Sequence, residues 1–115
     1  MEQLQVTATF PRITNDHLDE FKRLAGDAVK IAADEPGVLQ YDWFFNQDET
    51  ACVVRERYAN SDAVLAHLGV VGELLGKIIE LGGGVEIDVF GSPSAVLVQA
   101  AEALRPRVYS YFQGK

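Results

Sequence analysis

From Leu4 to Phe10, apolar Leu4, Val6, Ala8 and Phe10 alternate with Gln5, Thr7 and Thr9, and Pro11 ends the run. A period of two is that of a strand with one buried face. The period then changes. Leu18, Phe21, Leu24, Ala25, Ala28, Val29 and Ala32 recur at helical spacing until Pro36-Gly37 stops the segment. Thr14 or Asn15 is the expected cap, with Asp16 and Asp19 near the positive end of the helix. A strand followed at once by an amphipathic helix restricts the chain to folds in which helices cover a sheet.

Later segments continue the pattern. Val38–Phe45 reads as a second strand with Leu39, Tyr41, Trp43 and Phe45 on one face and Val38, Gln40, Asp42 and Phe44 on the other. Polar residues 46–50 connect it to an antiparallel third strand, Ala51–Tyr58, with Cys52, Val54, Glu56 and Tyr58 on one face and Ala51, Val53, Arg55 and Arg57 on the other. Asn60 or Ser61 caps a second helical region holding Val64, Leu65, Leu68, Val71, Leu75, Ile78 and Ile79, and Gly69, Gly72 and Gly76 predict a break or kink near Gly69. Gly82-Gly83-Gly84 precedes a strand rather than a helix, so it is a turn and not a phosphate loop. Val85, Ile87 and Val89 alternate as the fourth strand. Ser92-Pro93-Ser94, with proline at the first helical position, opens a short helix through Leu104, and Val108–Phe112 reads as a last strand. The expectation is an α+β, ferredoxin-like βαββαβ domain spanning residues 1–115 with a carboxy-terminal helix and short strand. Both helices share one sheet face, and a second copy of the chain is the expected cover for the other.

Charge and cysteine content remove several function classes. Seventeen acidic residues against ten basic ones leave a net charge of −7, and no basic cluster offsets it, so neither nucleic acid nor an anionic membrane is an expected partner. No apolar stretch approaches the roughly 18 residues of a membrane span. The stretch Met1–Gln5 lacks a basic and an apolar region of a targeting signal, which makes the expected location cytoplasmic. The single cysteine, Cys52, sits in an apolar run without metal-ligand neighbours and reads as a buried thiol. No metal site, flavin site or nicotinamide site is legible, and no cofactor is expected.

Three segments taken together carry a resemblance. Glu35-Pro36-Gly37-Val38-Leu39-Gln40-Tyr41-Asp42, Val54-Arg55-Glu56-Arg57-Tyr58-Ala59-Asn60-Ser61-Asp62-Ala63 and Ala66-His67-Leu68 resemble the antibiotic biosynthesis monooxygenase superfamily. The resemblance implies a dimeric α/β barrel and a homodimer. Members include cofactor-independent monooxygenases acting on aromatic phenols or anthrones, haem-degrading enzymes, isomerases of small phosphorylated sugars, and proteins of no known activity. The haem-degrading branch is disfavoured, because it uses an asparagine on the first strand and a tryptophan beside the histidine, whereas this chain has Gln and Thr there and places Trp43 on the second strand. No Lys/Arg pair lies near His67 in sequence to hold a phosphate, although Arg55, Arg57 or Arg105 could approach in space.

His67 is the first candidate for catalysis. A neutral imidazole can take a proton from an acidic carbon or a phenol without a metal, and Val64 and Val71 flank it at helical spacing. The alternative is a histidine packed on the core. Glu56 and Tyr58 are further catalytic candidates, although pairing with an arginine is the commoner explanation of a buried acid. Tyr41, Asp42 and Trp43 are candidates for substrate binding, with the aromatic stripe Tyr41, Trp43 and Phe45 serving either as a wall for an aromatic ligand or as core. His17 reads as a surface side chain.

Two functions follow as expectations. One is a cofactor-independent monooxygenase acting on a small aromatic or phenolic molecule. The other is a non-catalytic dimeric module that binds a small ligand or serves assembly, and an isomerase of a small metabolite is a further alternative.

Overall fold

The computed structural model describes residues 2–115; Met1, part of the amino-terminal stretch read above, lies outside them. Five strands, β1 (Leu4–Phe10), β2 (Val38–Phe45), β3 (Cys52–Tyr58), β4 (Glu86–Phe90) and β5 (Arg107–Tyr109), form one sheet in the order β2-β3-β1-β4-β5. β1 pairs antiparallel with β3 and β4, and β2 antiparallel with β3. β5 joins parallel to β4. With α1 (Leu18–Ala33) and α2 (Ser61–Leu81), the first four strands form the expected ferredoxin-like α+β arrangement, extended by α3 (Ala95–Ala100) and β5.

Alternation decides which side of each strand is buried. Leu4, Val6, Ala8 and Phe10 from β1 and Cys52, Val54 and Tyr58 from β3 lie against Phe21, Leu24 and Ala28 of α1 and Val64 and Ile78 of α2. Phe10, Phe21 and Trp43 form an aromatic knot, with Phe10 stacked on Trp43 at 5.8 Å and Phe21 edge-on to both. Cys52 is wholly buried and free, and burial pushes its thiol up to about 11.

Several boundaries and faces differ from the sequence expectation. α2 runs unbroken from Ser61 to Leu81. Its glycines do not interrupt it because Gly69, Gly72 and Gly76 lie on the exposed side, while Val64, His67, Val71 and Ile78 hold the buried stripe. Leu39 does not share a face with Tyr41: a bulge between Val38 and Gln40 shifts the register, which turns Val38 inward and leaves Leu39 41% exposed. Val29, counted in the apolar stripe of the first helix, is exposed. The cap of α3 is Ser94, whose hydroxyl accepts from Leu97 N, so Pro93 precedes the cap instead of opening the helix. A 3-10 turn at Asn15–His17 precedes α1, and Thr14 makes no side-chain cap bond to it.

The last strand is shorter than Val108–Phe112. Residues past Tyr109 have no strand to pair with, because β4 ends at Phe90 and Gly91, at φ 132°, turns the chain away. Gly91 N donates to Tyr109 O at 2.9 Å and closes the sheet edge there. Tyr111 and Phe112 are exposed. The sheet face away from the helices is mixed rather than apolar, with Gln5, Arg55 and Asp42 beside Phe44 and Phe90.

Candidate active site

His67 enters the molecule on the buried stripe of α2, one turn after Val64 and one turn before Val71. It is 3% exposed, the one polar residue among the fully buried side chains described. Both ring nitrogens are engaged. Nδ1 lies 2.6 Å from Glu35 Oε1, and Nε2 lies 3.2 Å from the Tyr41 hydroxyl. In the neutral ring, Glu35 can only accept from Nδ1–H, which leaves Nε2 as the acceptor of the Tyr41 O–H. The tautomer that presents a basic nitrogen to Tyr41 is therefore set by an acid 32 residues away in the chain.

Glu35 reaches this position through the turn after α1. Gly37 packs so closely on the start of α2 that a Cβ there would fall 2.6 Å from Ala63 Cβ, and Ala59 N donates to Gly37 O at 2.9 Å. The turn is thus pressed against the first turns of α2, and Glu35, just before it, lies alongside His67. Reasoning from the sequence missed this residue as a site component. A signal was present: an acid following Asp34 at the carboxy-terminal end of a helix faces the negative end of the dipole and needs some other stabilising partner.

Glu56 and Tyr58 stand two apart on β3 and share the inward face. The Tyr58 hydroxyl donates to Glu56 Oε1. The expected arginine partner of Glu56 is replaced by this phenol, because Arg55 and Arg57 alternate onto the opposite face of the strand. Burial pushes the Glu56 carboxyl up to about 7, opposed by the Tyr58 hydrogen bond. Burial also drives the Tyr41 and Tyr58 hydroxyls far above the ordinary phenol range, reinforced by the nearby Glu56 and Glu35.

These groups converge. The His67 ring lies 4.9 Å from that of Tyr41 and 5.8 Å from that of Tyr58. His67, Tyr41, Glu56 and Tyr58 line one cavity of about 80 Å³, whose other walls are apolar side chains of β1, β4, α2 and the segment after Gly91. An acid–base group beside phenolic donors in apolar surroundings can move a proton and stabilise the anion that results.

Two of the expected binding residues are elsewhere. Asp42 is exposed on the outer sheet face, where Gln40 donates to it at 3.0 Å; alternation along β2 separates it from Tyr41. Trp43 shares the inward face of Tyr41 but packs on Phe10 and Phe21, with its indole N–H buried and unpartnered among the described residues. It is a core residue. His17 is at the surface beside Thr14. Neither Arg55, Arg57 nor Arg105 lines the cavity, which leaves a sugar phosphate without a cation there. Among the described residues no group of three or more His, Cys, Asp or Glu could hold a metal ion, and no helix is long and apolar enough to cross a membrane.

Residues 5–70, more than half of the chain, match the antibiotic biosynthesis monooxygenase family. The chain belongs to that family. No curated protein matches the sequence. Among solved structures, this antibiotic biosynthesis monooxygenase family member is similar to MupZ from Pseudomonas fluorescens, at 22% identity and a TM-score of 0.82 over 100% of this chain and 94% of that one. A putative antibiotic biosynthesis monooxygenase from Caulobacter crescentus is 24% identical with a TM-score of 0.64, covering 81% of this chain and 92% of the other. An N63A mutant of SnoaB, a cofactor-independent oxygenase from Streptomyces nogalater, is 16% identical with a TM-score of 0.63, covering 84% and 98%. At these identities the likenesses establish the fold that the family members share.

Proposed function

We propose that this protein is a cofactor-independent oxygenase acting on a small aromatic or phenolic molecule. The observation that carries the reading is His67 Nε2, held as a proton acceptor by Glu35 and lying with Tyr41, Glu56 and Tyr58 in a cavity whose other walls are apolar. The substrate displaces the Tyr41 hydroxyl from Nε2 and gives up a proton to it. Tyr41, its pKa raised by burial, remains a proton donor to the resulting anion, while the Tyr58 hydroxyl stays on Glu56. Desolvation makes that carbanion or phenolate a stronger electron donor to oxygen. For a methylene substrate, one oxygen atom enters as the carbonyl and the other leaves as water. SnoaB, which shares the fold, is a cofactor-independent oxygenase.

The Tyr41 hydroxyl already resting on Nε2 supports a second reading, a ligand-binding module without turnover. Oxygen-electrode measurements with phenols, quinols and anthrones separate the two. Uptake that depends on enzyme concentration and disappears in His67→Ala supports the oxygenase; saturable binding with no uptake for any of these substrates overturns it in favour of the module. The same reading includes a homodimer through the outer sheet face, supported by Phe44 and Phe90, 53% and 42% exposed there.

A further inference from the structure

The cavity is chemically divided. Its polar side chains, His67, Tyr41, Glu56 and Tyr58, are clustered within ring-contact and hydrogen-bond distance of each other. Every lining residue that follows Gly91 is apolar: Pro93, Leu97, Val98, Ala101, Leu104, Pro106 and Val108. This second wall contains no aromatic ring on which a planar ligand could stack. It is built from aliphatic side chains, which suit aliphatic chain and offer it dispersion contacts and exclusion of water.

The wall comes from one contiguous stretch of chain, residues 92–108. The family match ends at residue 70, so the whole segment lies beyond it. Its attachments to the body are specific, beginning with the pairing of β5 on β4. Ser61 Oγ accepts from Ser94 N at 2.9 Å, Leu97 is buried at 4% exposure, and Arg107 grips Asp88 through Nε at 2.6 Å and a second nitrogen at 3.1 Å. Arg105, at φ 50°, reverses the chain so that Pro106 and Val108 return along the cavity. None of these side-chain attachments involves His67 or Glu35.

We propose that residues 92–108 form the specificity wall of this site, and that the ligand is amphipathic: an acidic hydroxyl or activated C–H head seated at His67 and Tyr41, joined to an aliphatic arm lying against Leu97, Val98, Ala101 and Leu104. The proposal rests on the reading of His67 as the group that receives the polar head, and it names the class of substrate that the oxygenase takes. Depth along the wall selects arm length, and the polar end selects the head.

A series of 4-n-alkylphenols, from unsubstituted phenol to butyl, tests this by calorimetric titration under anaerobic conditions, where no turnover occurs. Affinity is expected to rise about fourfold per added methylene, the free energy of burying one CH₂, and then to stop rising once the arm fills the cavity. Ala101→Leu should move that stop to a shorter chain and Leu97→Ala to a longer one. If Leu97→Ala fails the thermal-unfolding check, Ala101→Leu, at a partly exposed position, carries the test alone. Affinity that is indifferent to chain length, or a stopping point that both folded variants leave unchanged, overturns the proposal. Chain-length selection with no oxygen uptake would sink the oxygenase reading alone, and oxygen uptake without chain-length selection would sink this one alone.

Discussion

Glu35 Oε1 and His67 Nδ1 lie 2.6 Å apart, joining the end of α1 to the buried stripe of α2. This contact decides which imidazole nitrogen faces the cavity. Glu35→Ala leaves a buried N–H without a partner, so a loss of about 1–3 kcal/mol is expected, read as a lower urea midpoint. Glu35→Gln keeps an acceptor and should recover most of that stability. Both variants should still fold, and a midpoint unchanged in Glu35→Ala would mean that the contact does not persist in solution.

His67 is both a buried side chain and the proposed base, so the two roles are not alternatives in this structure. His67→Ala should lower turnover by roughly 10²–10⁴, the usual contribution of a positioned acid–base group. It should also destabilise by about 1–3 kcal/mol, because Glu35 and Tyr41 each lose a partner. Steady-state rates on a substrate found by oxygen uptake, together with thermal melts, check both effects. A stable and fully active variant would remove His67 from the chemistry.

Glu56 makes stability depend on pH in a defined direction. Its folded-state pKa of about 7 stands above the ordinary value of 4.5, so the neutral carboxyl is favoured by folding. Its contribution is fully present below pH 4.5, declines as pH rises, and is lost above about pH 7, by no more than about 3 kcal/mol. Asp88, held low by Arg107, gives the opposite slope at acid pH. The difference between wild type and Glu56→Gln in urea midpoints from pH 4 to 8 isolates Glu56. A difference that does not change across this range would contradict the burial of its carboxyl.

The outer sheet face predicts association. Sedimentation equilibrium should return twice the chain mass of 12.6 kDa, and Phe44→Asp, at a position 53% exposed in the single chain, should shift the species toward monomer without lowering helical content. A wild-type monomer at micromolar concentration would dispose of the dimer.

Gly69, Gly72 and Gly76 sit on the exposed side of a continuous helix, with nothing within 4 Å of an added Cβ. Each Gly→Ala substitution should stabilise by up to about 1 kcal/mol. Melting temperatures of the three single variants test this, and a destabilised variant would point to a surface that a partner chain covers.

The periodicities of two and of 3.6 residues identify β1, α1, β3 and α2 from the sequence, because those patterns record which side of each element is buried, a property every residue carries locally. The inward set Cys52, Val54, Glu56 and Tyr58 followed from the same reasoning, whereas the candidacy of His67 rested on imidazole chemistry and the family resemblance. Elements whose ends depend on a partner strand did not. Whether β5 stops at Tyr109 is settled by where β4 turns away at Gly91, and the phase of β2 is settled by a bulge at Leu39 that forms only in pairing with β3. The site shows the same division. Chemistry is carried by residue types, so His67, Glu56 and Tyr41 were legible; proximity is carried by the packed fold. Only the tertiary structure brings Glu35 to His67, sends Asp42 to the opposite face, commits Trp43 to the core and folds residues 92–108 over the cavity, because each of these contacts joins segments whose separation along the chain leaves no local pattern.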